Sequence, residues 1–177
     1  MIYLLLSFLL AGGDLTVKTM VDRAGGEKLP KELADGFVTI RREKNKGFAG
    51  NRCEEEPETV GRISAVILAL ATVVLLPVFL SKKKTIAEKF GGSIFLGGAI
   101  SNVVERNLRG YVVDYLQVKT DKLYKADNKL PHDVDVIYRD AVKRIPLRNA
   151  TFNLSDVFIV LGGVIVVSGC FLRELRK

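Results

Sequence analysis

Four apolar stretches divide the chain, and longer polar stretches separate them. The first begins at Ile2 and reaches bilayer length only if Leu15, Val17, Met20 and Val21 are counted beyond Ala11, Gly12 and Gly13. Its leading run, residues 2–11, also fits a secretory signal peptide with small residues near a cleavage point, although no basic residue precedes it. The second, residues 60–80, holds one charge, Arg62, near its start and Pro77 near its end, where a membrane helix tolerates it. The third, residues 85–105, carries Glu88 and Lys89 early. Its Gly91, Gly92, Gly97 and Gly98 leave a smooth face where helices can approach closely. The fourth, residues 154–172, ends in Arg173, Arg176 and Lys177. The pattern predicts a single membrane domain over residues 1–177, with an all-α core of four transmembrane helices near residues 2–21, 60–80, 85–105 and 154–172.

Charge next to the spans orients them. Lys82, Lys83 and Lys84 directly follow the second span, and the fourth ends in basic residues; both flanks read as cytoplasmic. Both termini then lie inside, and the loops 22–59 and 106–153 lie outside. In the first loop, Phe37 to Arg41 predicts a short strand before the turn-rich Asn45-Lys46-Gly47. The acidic run Glu54 to Glu58 reads as a solvated loop, since it lacks spaced metal-ligand partners. The second loop is hydrophilic from 117 to 150, with spaced apolar residues in DVDVIYRDAVKRI.

Composition narrows the partners. The 177 residues are 48% hydrophobic and 27% charged, with the two kinds segregated, as in membrane proteins. The net charge of +7 comes without a basic helix or an aromatic-basic platform, so it points to lipid headgroups and not to nucleic acid. Cys53 in a polar loop and Cys170 at the end of an apolar stretch do not form a disulfide framework. The single histidine, His132, and the absence of metal-ligand spacing argue against a zinc peptidase.

The candidate chemistry lies at two span ends. GGAISNVVERNLRGYVVDYL, Gly97 to Leu116, runs from an apolar segment into Asn102, Glu105, Arg106, Arg109 and Asp114. Such a cluster is costly in lipid and is kept where it lines a cavity. FNLSDVFIVLG, from Phe152, reverses the order, with Asn153 and Asp156 before the apolar run. If the two stretches are antiparallel, Asp114 and Asp156 reach the same membrane face. Each residue also has an ordinary reading: Asn102 and Arg106 as a helix anchor, Asp156 behind Asn153 as a helix cap, Asp14 and Lys18 as an exposed ion pair. Two carboxylates at a partly dehydrated site hold one proton between them. The ionised one can then take a proton from water while the protonated one polarises a carbonyl. Ser155 has no local histidine or lysine partner for nucleophilic work.

At these residues the chain resembles the signal peptidase II family. DLTVK, Asp14 to Lys18, is similar to the family's D-x-x-T-K, and NKGFAG, Asn45 to Gly50, to its N-x-G-A-A-F loop. GGAISNVVERNLRGYVVDYL is similar to G-G-A-x-x-N-x-x-D-R followed by G-x-V-V-D-F/Y, with Glu105 in place of the usual aspartate. FNLSD is similar to F-N-x-A-D, with Ser155 in place of alanine. The resemblance implies four transmembrane helices with a small extracytoplasmic β-rich cradle, here with a long second outer loop. It implies a metal- and cofactor-free aspartic endopeptidase of the bacterial cytoplasmic membrane, with its active site at the extracytoplasmic face. The substrate would be a prolipoprotein carrying diacylglycerol on the cysteine after the cleavage site. Asp114 and Asp156 would be the catalytic dyad; Asn102, Arg106 and Asn153 would hold the dyad or the substrate backbone; Asp14, Lys18 and Asn45 would shape the pocket. A monomer is expected. The competing reading is a non-catalytic membrane paralogue that binds lipopeptides. A small transporter is the weaker third, because the carboxylates gather at one face.

Overall fold

Among the described residues, three helices are long and apolar enough to cross a membrane: α1 (Ile2–Ala24), α2 (Pro57–Leu80) and one that closes the chain, Leu154–Glu174. The computed structural model describes residues 2–25, 29–48, 50–82, 86–119 and 150–175. Most of the hydrophilic stretch 117–150, with His132 and the spaced apolar residues expected to have structure, lies outside them, as do Lys83, Lys84, Arg176 and Lys177. A fourth long helix, α3 (Ile86–Arg109), does not have the apolar composition of the other three. Its position accounts for that. It packs against α1, α2 and the closing helix, whereas those three touch one another little. Large apolar side chains such as Leu9, Val66, Val74 and Val164 are exposed on the outer helices, while α3 buries Ser93, Gly97, Gly98, Ser101, Asn102 and Glu105. A helix sheathed by other helices meets protein and not lipid, so it can carry polar groups that find partners there.

The closing helix is labelled α4. Its start is fixed by a capping box: the Asn153 side chain accepts from the Asp156 N–H, and the Asp156 carboxylate accepts from the Asn153 N–H. Its first turn lies hard against α3, because a Cβ at Gly98 would collide with the Ser155 carbonyl oxygen. At the other end the buried Glu88 of α3 pairs with Arg173 of α4 at 3.0 Å. An apolar cluster of Leu75, Val78 and Leu96 joins α2 to α3 between these ends.

A four-stranded antiparallel sheet caps one end of the helices. Its strands are β1 (Lys31–Leu33), β2 (Val38–Asn45), β3 (Val112–Val118) and β4 (Thr151–Phe152), paired in chain order. β2 overlaps the strand expected over Phe37 to Arg41, starting at Val38 and running on to Asn45. It can do so because a register shift between Ile40 and Glu43 re-aligns it with β3, bringing Glu43 opposite Asp114. β3 itself carries no alternating pattern and falls in the stretch 106–153 expected as an outer loop, directly after the third span. Gly110, at φ +74°, ends the helix, and the β-branched and aromatic Val112, Val113 and Tyr115 continue as a strand whose first four residues are all buried.

Candidate active site

The two aspartates come from different elements, Asp114 from the middle of β3 and Asp156 from the first turn of α4. Asn153 joins them. Its side-chain amide donates to Asp114 Oδ1 at 2.7 Å, and its backbone N–H donates to Asp156 Oδ2 at 3.0 Å. The remaining carboxylate oxygens are each met by another asparagine: Asn45 Nδ2 donates to Asp114 Oδ2 at 3.0 Å, and Asn102 Nδ2 donates to Asp156 Oδ1 at 2.9 Å. The capping role of Asp156 and its approach to Asp114 are therefore compatible, since one oxygen serves the cap and the other faces Asn102.

The donors at this pair are neutral amides. Asp114 is 5% exposed and Asp156 half-buried, so the pair is reached from the Asp156 side. Burial, and after it the Asp156 carboxylate, push the Asp114 carboxyl up to about 6, against the hydrogen bonds from Asn45 and Asn153. A carboxyl with that environment keeps its proton under conditions where an ordinary aspartate has lost it.

A charged layer lies behind the asparagines. Lys18 Nζ donates to Asn102 Oδ1 at 2.7 Å, which turns the other end of that amide, Nδ2, towards Asp156. Lys18 also pairs with Asp14 at 2.9 Å and Glu105 at 3.4 Å, and all three side chains are fully enclosed. The reading of Asp14 and Lys18 as an exposed pair is thus corrected: packing between α1 and α3 removes both from solvent. Glu105 further accepts from the Val113 N–H at 3.1 Å and from Arg109 at 2.9 Å, which anchors the start of β3 to the end of α3.

Arg106 sits apart from the amide ring. Its guanidinium donates to the Gly47 carbonyl at 2.9 Å and to Ser64 Oγ at 3.2 Å, holding the loop after Asn45 against α2 and α3. Three contributors carried no assigned role in the sequence reading. Tyr115 donates to Asp14, and so do Ser101 and Ser155. Ser101 had one available signal, its place four residues before Glu105 on the same face of a helix. Lys18 also donates to Ser101 Oγ at 3.2 Å, the approach of a serine–lysine pair, but both are wholly buried and the serine proton is given to Asp14. No group of three or more His, Cys, Asp or Glu converges among the described residues.

Known proteins share both the sequence and the fold. The Lipoprotein signal peptidase of Caldicellulosiruptor bescii is 27% identical over 145 residues, 82% of this chain and 74% of that protein. The Lipoprotein signal peptidase of Brucella ovis is 26% identical over 142 residues, 80% of this chain and 72% of that protein. A solved structure described as a bacterial membrane enzyme, determined by the in meso method at 2.3 Å resolution, superposes with a TM-score of 0.71. It covers 99% of this chain and 90% of its own at 16% identity, a likeness of fold alone. A second of the same description, at 1.9 Å, gives a TM-score of 0.62 over 93% of this chain and 89% of its own, again at 16% identity. The family model described as Signal peptidase (SPase) II matches residues 6–172, nearly the whole chain and every residue of the ring around Asp114 and Asp156. On that match the chain belongs to the signal peptidase II family, membrane proteases that remove signal peptides from lipoproteins.

Proposed function

We propose that this protein is an aspartic endopeptidase of the bacterial cytoplasmic membrane, cleaving diacylglyceryl-modified prolipoproteins with Asp114 and Asp156. The observation that carries the reading is the convergence of the two carboxylates on Asn153, with Asp114 so buried beside Asp156 that one proton stays on the pair. Asp156, more open and with Asn102 on one oxygen, takes a proton from the attacking water. Asp114, raised to about 6, keeps its proton and donates to the scissile carbonyl. In this reading α3 is a fourth span, and the sheet stands over the extracytoplasmic ends of the helices as a cradle for the substrate peptide. The acyl chains of the modified cysteine stay in lipid while the peptide bond reaches the aspartates at the surface. Arg106, by holding the Gly47 carbonyl, keeps Asn45 and its loop at the rim of the pocket.

The test is cleavage in proteoliposomes holding the purified chain, with a diacylglyceryl prolipoprotein and the same precursor unmodified. Only the modified precursor is expected to lose its signal peptide. Equal cleavage of both would remove the lipid from the specificity, and binding without turnover would favour the lipopeptide-binding paralogue.

The pH dependence follows from the same groups. One proton on the pair is the active state, so kcat/KM is bell-shaped, and its basic limb reports the loss of the Asp114 proton near pH 6 in the free enzyme. Activity falls as pH rises through that limb. The limb of kcat lies at higher pH, because bound substrate excludes water and further disfavours the ionised carboxyl. A kcat/KM still rising well above pH 6 would remove Asp114 as the proton donor.

A further inference from the structure

One carboxylate of α1 touches the chain neighbours of both aspartates. Asp14 is 1% exposed. Its Oδ1 accepts from the Tyr115 hydroxyl at 2.9 Å, and its Oδ2 accepts from Ser155 Oγ. Tyr115 follows Asp114 in β3, and Ser155 precedes Asp156 in α4. Ser101 of α3 donates to the same Oδ2 at 2.6 Å, and Lys18 pairs with it at 2.9 Å, so the acceptor is held by α1 and α3 together. The Tyr115 hydroxyl in turn accepts from the Leu154 N–H at 3.3 Å, at the first residue of α4.

We infer that Asp14 is a positioning residue that steadies the separation of Asp114 and Asp156, gripping Tyr115 and Ser155 as two links in series behind the direct tie made by Asn153. The inference rests on the aspartic dyad proposed above. Asp14 itself touches neither reacting carboxylate. β3 and the start of α4 meet directly through Asn153 and through the pairing of β3 with β4. Asp14 adds a second tie behind them, a common acceptor buried against both. Hydrogen bonds to a charged acceptor in a dry site are stronger than neutral ones, so each link resists displacement. The requirement is strict, because a misplacement of about 1 Å in a reacting group can cost about a hundredfold in rate. It also gives Ser155 a role in this chain: its proton belongs to Asp14 and holds the start of α4 in place.

Links in series predict a specific non-additivity. Releasing either one removes the brace through Asp14 and leaves the tie through Asn153, and releasing both removes no more of it. The experiment compares Ser155→Ala, Tyr115→Phe and the double variant of the full chain in proteoliposomes, with Asp114→Asn as reference, on a diacylglyceryl prolipoprotein. Both substitutions remove little more than a hydroxyl. Each single variant is expected to lose about tenfold in kcat at unchanged KM, and the double variant to fall no lower than the weaker single. A kcat within about twofold of wild type in both singles, losses that multiply in the double, or a lowered Tm at unchanged kcat would each overturn the inference. Wild-type cleavage by Asp114→Asn would overturn the dyad itself, and the tie with it; loss of cleavage there with unchanged singles overturns the tie alone.

Discussion

Asp114→Asn and Asp156→Asn are each expected to lower kcat for prolipoprotein cleavage by about 10² to 10⁴, the range that general acid–base catalysis contributes. An amide in place of Asp156 cannot take the proton of water, and an amide in place of Asp114 cannot give its proton to a peptide carbonyl and remain neutral. The two losses should not multiply in the double variant, because the pair acts as a unit. The site adds a complication that the experiment must address. Both oxygens of each carboxylate accept from N–H donors, so whichever way the new amide turns, its NH₂ faces another donor. The variants are therefore compared with wild type by circular dichroism and by the amount of folded protein in the membrane. Undiminished cleavage by either variant would remove that aspartate from the mechanism; lost cleavage with the fold intact supports it.

Lys18→Met should unfold or nearly unfold the protein. The lysine is 0% exposed and neutralises Asp14 and Glu105 at 2.9 and 3.4 Å, both themselves enclosed. Methionine fills much of the same volume without the charge. Two carboxylates then remain buried, Glu105 with Arg109 and Asp14 with hydroxyls only. Breaking a buried pair by removing one partner costs about 3 to 5 kcal/mol, a large part of the stability of a domain this size. The loss appears as a collapse of Tm and of folded protein recovered in detergent. Any folded fraction should also cleave poorly, because Asn102 loses the donor that orients its amide towards Asp156. A Tm equal to wild type would show that solvent reaches the cluster and that the lysine is dispensable.

Much of the site was legible along the chain because membranes make polar residues conspicuous. Asp114, Asn102, Asn153 and Asp156 stand out against apolar sequence, and antiparallel helices bring span ends of opposite order to one face. The ordinary cap reading of Asp156 and the site reading looked like alternatives in the sequence. The cap is present and the site reading is compatible with it, because a carboxylate has two oxygens and the cap uses one.

The apolar stretches, their basic flanks and the signature residues determine by themselves that the chain is a membrane protein of the signal peptidase II family, since lipid permits few other uses of such segments. The tertiary structure alone decides three things. It makes Val112–Val118 a strand, because pairing with β2 satisfies a backbone whose sequence carries no strand alternation. It buries Lys18 between Asp14 and Glu105, because α1 packs on α3 in a way no local spacing encodes. And it gathers Asn45, Asn102 and Asn153 from three elements around two carboxylates, an arrangement set by distances between elements far apart in the chain.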